Sequence, residues 1–537
     1  MKNLIPPDSL KGINEAVELL FDCLEKDTRI MVVADYDCDG ATSCAVAVEG
    51  LRMLGFTHVK FVVPDRFTMG YGLSPVVVKE IEPHNPELVV TVDNGISAFE
   101  GCEAVKNLPN KPKLLITDHH LGGDKNPIAD AIVNPNQVGC PFPSKALAGC
   151  GVIFYVLMKF KSHLKNMDWF NKNNKIEPDL RQLIDLVSLG TVADVVPLDY
   201  NNRILIWHGI NRIRKGDFRV GIQALSDISK LDTSKISSTD FGFALGPKIN
   251  SAGRLEDMTI GINCLLSNDY NKALKYAKEL EDLNEKRKAL TADISYDAYN
   301  QLDLPEATDS YGLCVYGDDF NEGVIGIVAS RLKDRYHRPV IVFTKAEDGS
   351  YKGSGRSVGG VHLRDVLVNV DRESEGKIML KYGGHAMAAG MGVRPEKFEE
   401  FKELFDKEVR KTLDKIEPII ETDGILDPNY LNIDTAILIE NSGPWGQHFP
   451  KPIFRGDFKI VERRVLKGKH LKMTLKPLYD NIQIQAIAFN VVDNDDVLYP
   501  EGTIIRMAYE LSVNSYNGRT NLQLMVKHFS AINEFKE

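Results

Sequence analysis

Three short apolar runs in this chain end abruptly in charge. The runs 30-IMVVA-34, 88-LVVTV-92 and 114-LLIT-117 lead straight into Asp35-Tyr36-Asp37-Cys38-Asp39, Asp93-Asn94-Gly95 and Asp118-His119-His120. Near-continuous apolar runs rich in valine, isoleucine and leucine are the pattern of strands buried on both faces, the environment of a parallel sheet. Similar runs at 59–63 and 131–133, with helical stretches at 41–54, 75–81 and 96–108 between several of them, make up a βαβ alternation. That order predicts a parallel, doubly wound α/β sheet. Ligands bind such sheets beyond the carboxyl ends of the strands. Acids and imidazoles are therefore aimed at one rim.

Like charges packed this closely repel, and each is costly to desolvate, so a positive partner is expected between them. A fourth stretch, 186-LVSLGTVADVVPL-198, adds Asp194 among small and apolar residues. A lone D-x-D is usually a turn and paired histidines are usually surface residues; the argument rests on the same placement after three successive strands. Carboxylates and imidazoles without thiolates suit Mn²⁺ or Mg²⁺ better than a structural zinc. There are donors enough for two ions, and such a pair activates water and clamps a phosphoryl centre during in-line displacement. The residues alone thus point to phosphoester hydrolysis.

The rest of the chain divides by pattern. Helices are expected from about 146 to 266, among them the apolar 151-GVIFYVLMKF-160, too short a run to cross a bilayer. Residues 269–302 lack proline and glycine and repeat apolar residues at helical spacing, which predicts one long connecting helix. A smaller α/β domain with glycine-rich loops at 353-GSGRSVGG-360 and 383-GGHAMAAGMG-392 follows, and then about five short strands that predict a small OB-type β-barrel. The expected boundaries are 1–267, 268–304, 305–415 and 416–537. The net charge of −10 argues against a polyanionic partner, yet residues 451–477 carry nine Lys or Arg against two acids. A local basic stripe on an acidic protein still suits nucleic acid, although lysines guarding a strand edge are the plain alternative. Eight scattered cysteines without a C-x-x-C pair, and an N-terminus without a signal-peptide pattern, predict a reducing, cytoplasmic setting.

In order, DYDCDG, VDNG, TDHH and GTVADVVPL resemble the four motifs of the DHH phosphoesterase superfamily, and GSGRS with GGHAMAAG resembles its DHHA1 domain. Together with 140-CPFPSKALAGCGV-152, 245-LGPKINSAGR-254 and the terminal β-domain, the resemblance covers nearly the whole chain. It is closest to the superfamily's single-stranded-DNA 5′→3′ exonucleases. The resemblance implies that Asp35, Asp37, Asp93, His119 and Asp194 are metal ligands, with Asp37 and Asp93 shared between two ions. By the same resemblance His120 acts on a phosphate oxygen, Asp39 and Asp118 orient the site, and Asn250 and Arg254 hold the DNA backbone. It also implies a pocket for the 5′-terminal phosphate made by Arg66, Ser354 and Arg356. Tyr71 is a candidate for stacking on a base, and His385 for touching substrate or fixing its own loop.

The chain departs from the family pattern in having Ala34 where glycine is usual and Cys38 where alanine is common; its lead before the first motif is also short. The resemblance implies work in recombinational and mismatch DNA repair, with single-strand-binding protein and a RecQ-type helicase as partners and a monomer as the working unit. One alternative is a phosphodiesterase for very short RNAs or cyclic dinucleotides, which a backbone-tracking β-domain disfavours. The other, a catalytically silent DNA-binding scaffold, is disfavoured because every matched ligand is present.

Overall fold

The computed structural model describes residues 1–302, 309–413, 419–489, 491, 499–516 and 519–532. The chain forms two compact units: Met1–Pro64 with Tyr71–Gly246 and Ile420–Glu537, and Asp65–Gly70 with Pro247–Ile419. The boundaries expected at 304/305 and 415/416 fall outside the described residues.

In the first unit β1 (Ile30–Ala34), β2 (Val59–Val62), β3 (Leu88–Val92), β4 (Lys113–Thr117) and β5 (Ala131–Val133) form a sheet of order β2-β1-β3-β4-β5 with every pair parallel. Every residue of β1 and β3 is buried, which is why both read as near-continuous apolar runs. The chain leaves β1 towards β2 on one side and returns to β3 on the other. The switch point, where an open α/β sheet forms its crevice, therefore lies between the ends of β1 and β3. Those two ends carry Asp35 and Asp93.

The helix after β1 spans Cys38–Met53 and starts three residues earlier than its apolar pattern suggests, because the Asp37 side chain caps it by accepting from the Gly40 amide at 2.9 Å. The apolar run at 151–160 lies in the helix Gly149–Asn166, most of it buried. Among the described residues, no helix is long and apolar enough to cross a membrane.

The second unit contains the long helix Tyr270–Leu302 and a sheet of β6 (Leu313–Gly317), β7 (Val340–Lys345), β8 (Tyr351–Arg356), β9 (Met379–Gly384) and β10 (Ala388–Val393), in the order β6-β7-β8-β10-β9. Alternate residues of β7 serve opposite faces. Ile341 and Phe343 join Leu363, Leu367, Phe401 and Phe405 on one side, while Val340 and Val342 meet Ile294, Ala298, Val328 and Leu332 on the other. The glycine-rich stretches are not the loops expected from their composition: most of 353-GSGRSVGG-360 and 383-GGHAMAAGMG-392 lies in β8, β9 and β10. Glycine is needed there for clearance. A Cβ on Gly353 would lie 2.5 Å from Phe343 Cε1 and 2.6 Å from Met391 Sδ.

The barrel, grouped with the first unit, closes in the order β11-β12-β13-β15-β14, from β11 (Phe454–Leu466), β12 (His470–Pro477), β13 (Ile484–Ala488), β14 (Ile504–Tyr516) and β15 (Arg519–Ala531). Several of these strands run beyond their apolar cores, because exposed polar positions extend them and a bulge between Ile460 and Glu462 interrupts the alternation of β11. Phe458, Ile460, Met473, Leu475 and Tyr509 fill the interior.

Candidate metal centre and phosphate-binding residues

The rim of the first sheet gathers the acids and imidazoles expected there. Donor atoms of Asp35, Asp37 and Asp93 lie within 4.8 Å of one another, as do those of Asp93, His119 and His120, and those of Asp39, His119 and Asp194. Asp93 and His119 each belong to two of these groups. Asp93 is therefore placed to be shared, whereas Asp37 belongs to one group and gives an oxygen to its helix cap. Asp93 adopts the left-handed backbone region (φ 63°), uncommon for a residue with a side chain. Asn94, fully buried, fixes that turn: its amide nitrogen donates to the Val33 and Val92 carbonyls at 3.0 and 2.9 Å, and its oxygen accepts from the Leu73 amide at 3.1 Å.

Asp39 and Asp118 orient their surroundings. Asp39 accepts from the Gly149 and Cys150 amides at 2.6 and 3.0 Å, a buried anion at a helix N-terminus. Asp118 accepts from the His119 amide (2.7 Å), the Ile96 amide (2.9 Å) and His120 Nδ1 (2.8 Å). Burial alone would raise the Asp118 pKa, but the His120 hydrogen bond and charge and the Ile96 amide hold it below its ordinary value. The two histidines are thereby separated. Burial opposes the His120 cation, yet the bond to Asp118 and the field of Asp35 and Asp37 push its pKa to about 9. His119 is lowered, by burial and then by the charge on His120. The two neighbouring imidazoles are thus shifted in opposite directions.

The donor set carries the marks of a cation site. Asp93 and Asp194 are pushed well above the usual carboxylate range, by burial first and then by the neighbouring carboxylates. Asp93 Oδ1 and His119 Nε2 stand 3.1 Å apart, both buried, and neither makes a hydrogen bond. Two buried polar atoms left without hydrogen bonds are costly, and a cation held between them would relieve that.

Sequence reasoning passed over several supporting residues. Asn134 and Asn136 donate to the His120 and His119 carbonyls, fixing the turn that presents the imidazoles. Gly149 leaves room for Asp93. These residues bear no reactive group, so only their spacing from the motifs could have flagged them. Tyr71 lies closer to the acid–base groups than its reading as a base platform suggests, its hydroxyl 3.4 Å from both His120 Nε2 and the Asp93 carbonyl.

The remaining candidates lie in the second unit. Arg66 belongs to the segment Asp65–Gly70, which groups with it. Arg356, half-buried, ends β8, and its hydrogen bonds run to the Ser354 hydroxyl (3.4 Å) and the Gly355 carbonyl (2.8 Å), both neutral; burial lowers its pKa. Ser354 Oγ and Arg356 Nη2 lie 2.9 and 3.1 Å from where a Cβ on Gly326 would be, at the N-terminal turn of the helix Ile325–Tyr336. A guanidinium, a hydroxyl and a helix N-terminus together favour an anion. β8 is paired with a neighbouring strand on each side, so side chains, not backbone amides, are what it offers here. Asn250 and Arg254 lie on the helix Gly246–Leu255, with Arg254 Nη1 bonded to the Gly323 carbonyl at 3.0 Å. His385 is exposed at the turn between β9 and β10, its amide donating to the Ala388 carbonyl at 2.8 Å.

Comparison with known proteins places each of the three folded regions in a family. The family model of the DHH family, N-terminal domain, matches residues 29–191, the DHHA1 domain matches 309–411 and the RecJ OB domain matches 422–528. Single-stranded-DNA-specific exonuclease RecJ of Escherichia coli (strain K12) is 43% identical over 98% of this chain and 91% of its own length, and that of Bacillus subtilis (strain 168) is 32% identical over 99% and 64%. The crystal structure of RecJ in complex with Mn²⁺ from Thermus thermophilus matches with a TM-score of 0.78 at 28% identity, covering 98% of this chain and 72% of that one; a Mg²⁺ complex of the same protein matches at 0.72. The chain belongs to the RecJ family of single-stranded-DNA-specific exonucleases.

Proposed function

We propose that this protein is a metal-dependent exonuclease that removes nucleotides from the 5′ end of single-stranded DNA. The observation that carries the reading is the shared position of Asp93, between the Asp35–Asp37 and His119–His120 donors at the β1/β3 switch point. Asp35, Asp37, Asp93, His119 and Asp194 would hold two ions, Mn²⁺ or Mg²⁺, whose chemistry would be to activate a water and neutralise charge at the scissile phosphate. The chain's own groups do the rest. His120, protonated through Asp118, hydrogen-bonds a phosphate oxygen and stabilises the charge that gathers there. Asn94, Asn134 and Asn136 hold the ligands in register. Arg66, Ser354 and Arg356 bind the terminal 5′-phosphate, which selects an end over a strand interior, while Asn250 and Arg254 hold the backbone and His385 fixes its turn. Tyr71 steadies His120.

On the barrel, Lys459 faces Lys476 and Arg464 faces Lys472 across the β11–β12 pair. Like charges directly opposite are destabilising, and a phosphate backbone relieves them. This favours a polymeric substrate over a dinucleotide. We assign the product as mononucleotides, the cellular role to recombinational and mismatch repair, and the working unit to a cytoplasmic monomer. Single-strand-binding protein and a RecQ-type helicase are its partners.

The test is single-stranded DNA blocked in turn at each end, incubated with Mn²⁺ or Mg²⁺, with EDTA and Asp93→Ala as controls. Blocking the 5′ end stops release of mononucleotides and blocking the 3′ end does not; equal loss from both ends refutes the polarity. Cleavage of cyclic dinucleotides alone refutes the substrate.

A further inference from the structure

The Asp194 wall of the metal centre is strained. Asp194 caps the helix Ile184–Ala193, and the next residue, Val195, sits in the left-handed region at φ 60°. A β-branched side chain rarely adopts that conformation, which is strained and persists only where the flanking chain is over-determined. Relaxation of Val195 swings the Asp194 carboxylate, so whatever pins the chain downstream sets the ligand's position.

Two pins are visible. The Pro197 carbonyl accepts from Asn202 Nδ2 at 3.0 Å, within the catalytic body itself. The second comes from the C-terminal region, where Trp445–Phe449 folds into a tight turn closed by Gly446 N to Phe449 O (2.9 Å) and Phe449 N to Gly446 O (3.0 Å). The Gln447 carbonyl accepts from the Leu198 amide at 2.8 Å, and Gly446 lies so close to Leu198 that a Cβ would come within 2.7 Å of Leu198 Cδ1. Arg203 lies over the Phe449 ring at 3.9 Å, and Phe449 stacks on Trp445 at 5.0 Å. The Trp445 carbonyl accepts from Ser238 Oγ at 2.7 Å. Ser238 precedes the π-helical turn Phe241–Leu245, and the glycines of that region, Gly242 and Gly246, pack against Val192 and Ala193 just ahead of Asp194. One turn of the C-terminal region therefore holds the chain on both sides of the ligand.

We propose that the turn Trp445–Phe449 is a positioning element for the metal centre, so that the region bearing the barrel sets the affinity of the Asp194 side for its cation. The inference rests on the reading of Asp194 as a ligand. Leu198, Arg203, Ser238, Gly446 and Phe449 belong to none of the donor groups; they act through the chain at residues 192–198.

The experiment uses the full-length protein and compares Gly446→Val, Phe449→Ala, Phe449→Tyr and the double variant Ser238→Ala/Arg203→Met with wild type. Mn²⁺ affinity is read from the electron paramagnetic resonance signal of free Mn²⁺, amide exchange at residues 194–198 by mass spectrometry, and DNA turnover against Mn²⁺ concentration. Expected are a loss of Mn²⁺ affinity of about tenfold in Gly446→Val, Phe449→Ala and the double variant, the scale of outer-shell changes at metal sites. Faster exchange at Leu198 and a matching shift of the activation midpoint accompany it, with turnover at saturating Mn²⁺ retained. Phe449→Tyr, which keeps the ring beneath Arg203, restores wild-type affinity. Affinity within about twofold of wild type in Phe449→Ala and the double variant overturns the proposal even if Gly446→Val fails to fold. Mn²⁺ binding unaltered by Asp194→Asn overturns it too. A wild-type protein that binds Mn²⁺ but leaves DNA uncut refutes the proposed function and leaves the affinity comparison standing.

Discussion

Replacing Gly149 by alanine isolates the placement of Asp93 from its chemistry. Gly149 opens the helix Gly149–Asn166 without a left-handed backbone, so alanine adds no φ strain and is intrinsically favoured within a helix by up to about 1 kcal/mol. Its Cβ, however, would lie 2.5 Å from Asp93 Cβ and 2.6 Å from Asp93 Oδ1. Non-bonded carbons rest at about 3.5 Å, so roughly 1 Å must be found. The helix start is held by Asp39 and the Asp93 turn by Asn94, so the Asp93 side chain gives way. A misplacement of about 1 Å costs on the order of 10²-fold in rate, or about 2.7 kcal/mol of transition-state stabilisation. The expected result is a loss of about 100-fold in single-turnover release of 5′-labelled nucleotide at saturating Mn²⁺. Overpacking costs no more than about 1–3 kcal/mol of stability, so the variant stays folded by circular dichroism. Activity within about threefold of wild type in a folded variant refutes the steric argument.

Because Asp93 and Asp194 keep protons at pH values where exposed aspartates have lost them, Mn²⁺ binding should release protons and tighten as pH rises. Calorimetry in two buffers of different ionisation enthalpy reads this, and a buffer-independent heat refutes it. In EDTA the same raised carboxyls make the folded protein less stable as pH climbs above the ordinary carboxylate range, since the unfolded chain gives up protons the folded one keeps; a urea midpoint that rises over that window contradicts the assignment. Arg356→Met should abolish any preference for 5′-phosphorylated over 5′-hydroxyl ends, seen as equal kcat/KM on the two substrates. Reversing Arg464 and Lys472 to glutamate should weaken binding of single-stranded DNA in EDTA and flatten its salt dependence by about 0.7 for each phosphate no longer neutralised, whereas an unchanged slope assigns the barrel's basic face to solvent.

Legibility followed burial. β1 and β3 were readable to the residue because both faces are buried and only Thr91, itself buried, departs from apolar. The barrel strands read as short, whereas β11, β14 and β15 each run to 13 residues, because polar positions facing water extend them and the bulge in β11 breaks the period. Glycine misled at 353–360, where density of glycine suggests a loop; whether a glycine frees the backbone or makes room for Phe343 and Met391 depends on partners distant in sequence. The acids of the rim were visible because a carboxylate after an apolar strand is conspicuous. Asn94, Asn134 and Gly149 were not, because each acts by hydrogen bonding or by leaving space, and ordinary polar or small residues carry no periodic signal. The turn at 445–449 carries no signal in the sequence; its contacts with Leu198, Arg203 and Ser238 distinguish it.

The strand order of the barrel bears on how the protein is made. β15, the last described strand in the chain, pairs with β13 on one side and β14 on the other, and so completes the ring. While its residues are still inside the ribosome, β13 and β14 each present an unpaired edge. A chain released before β15 is made therefore carries α/β domains that have had time to fold and a barrel that stands open to a neighbour's strand.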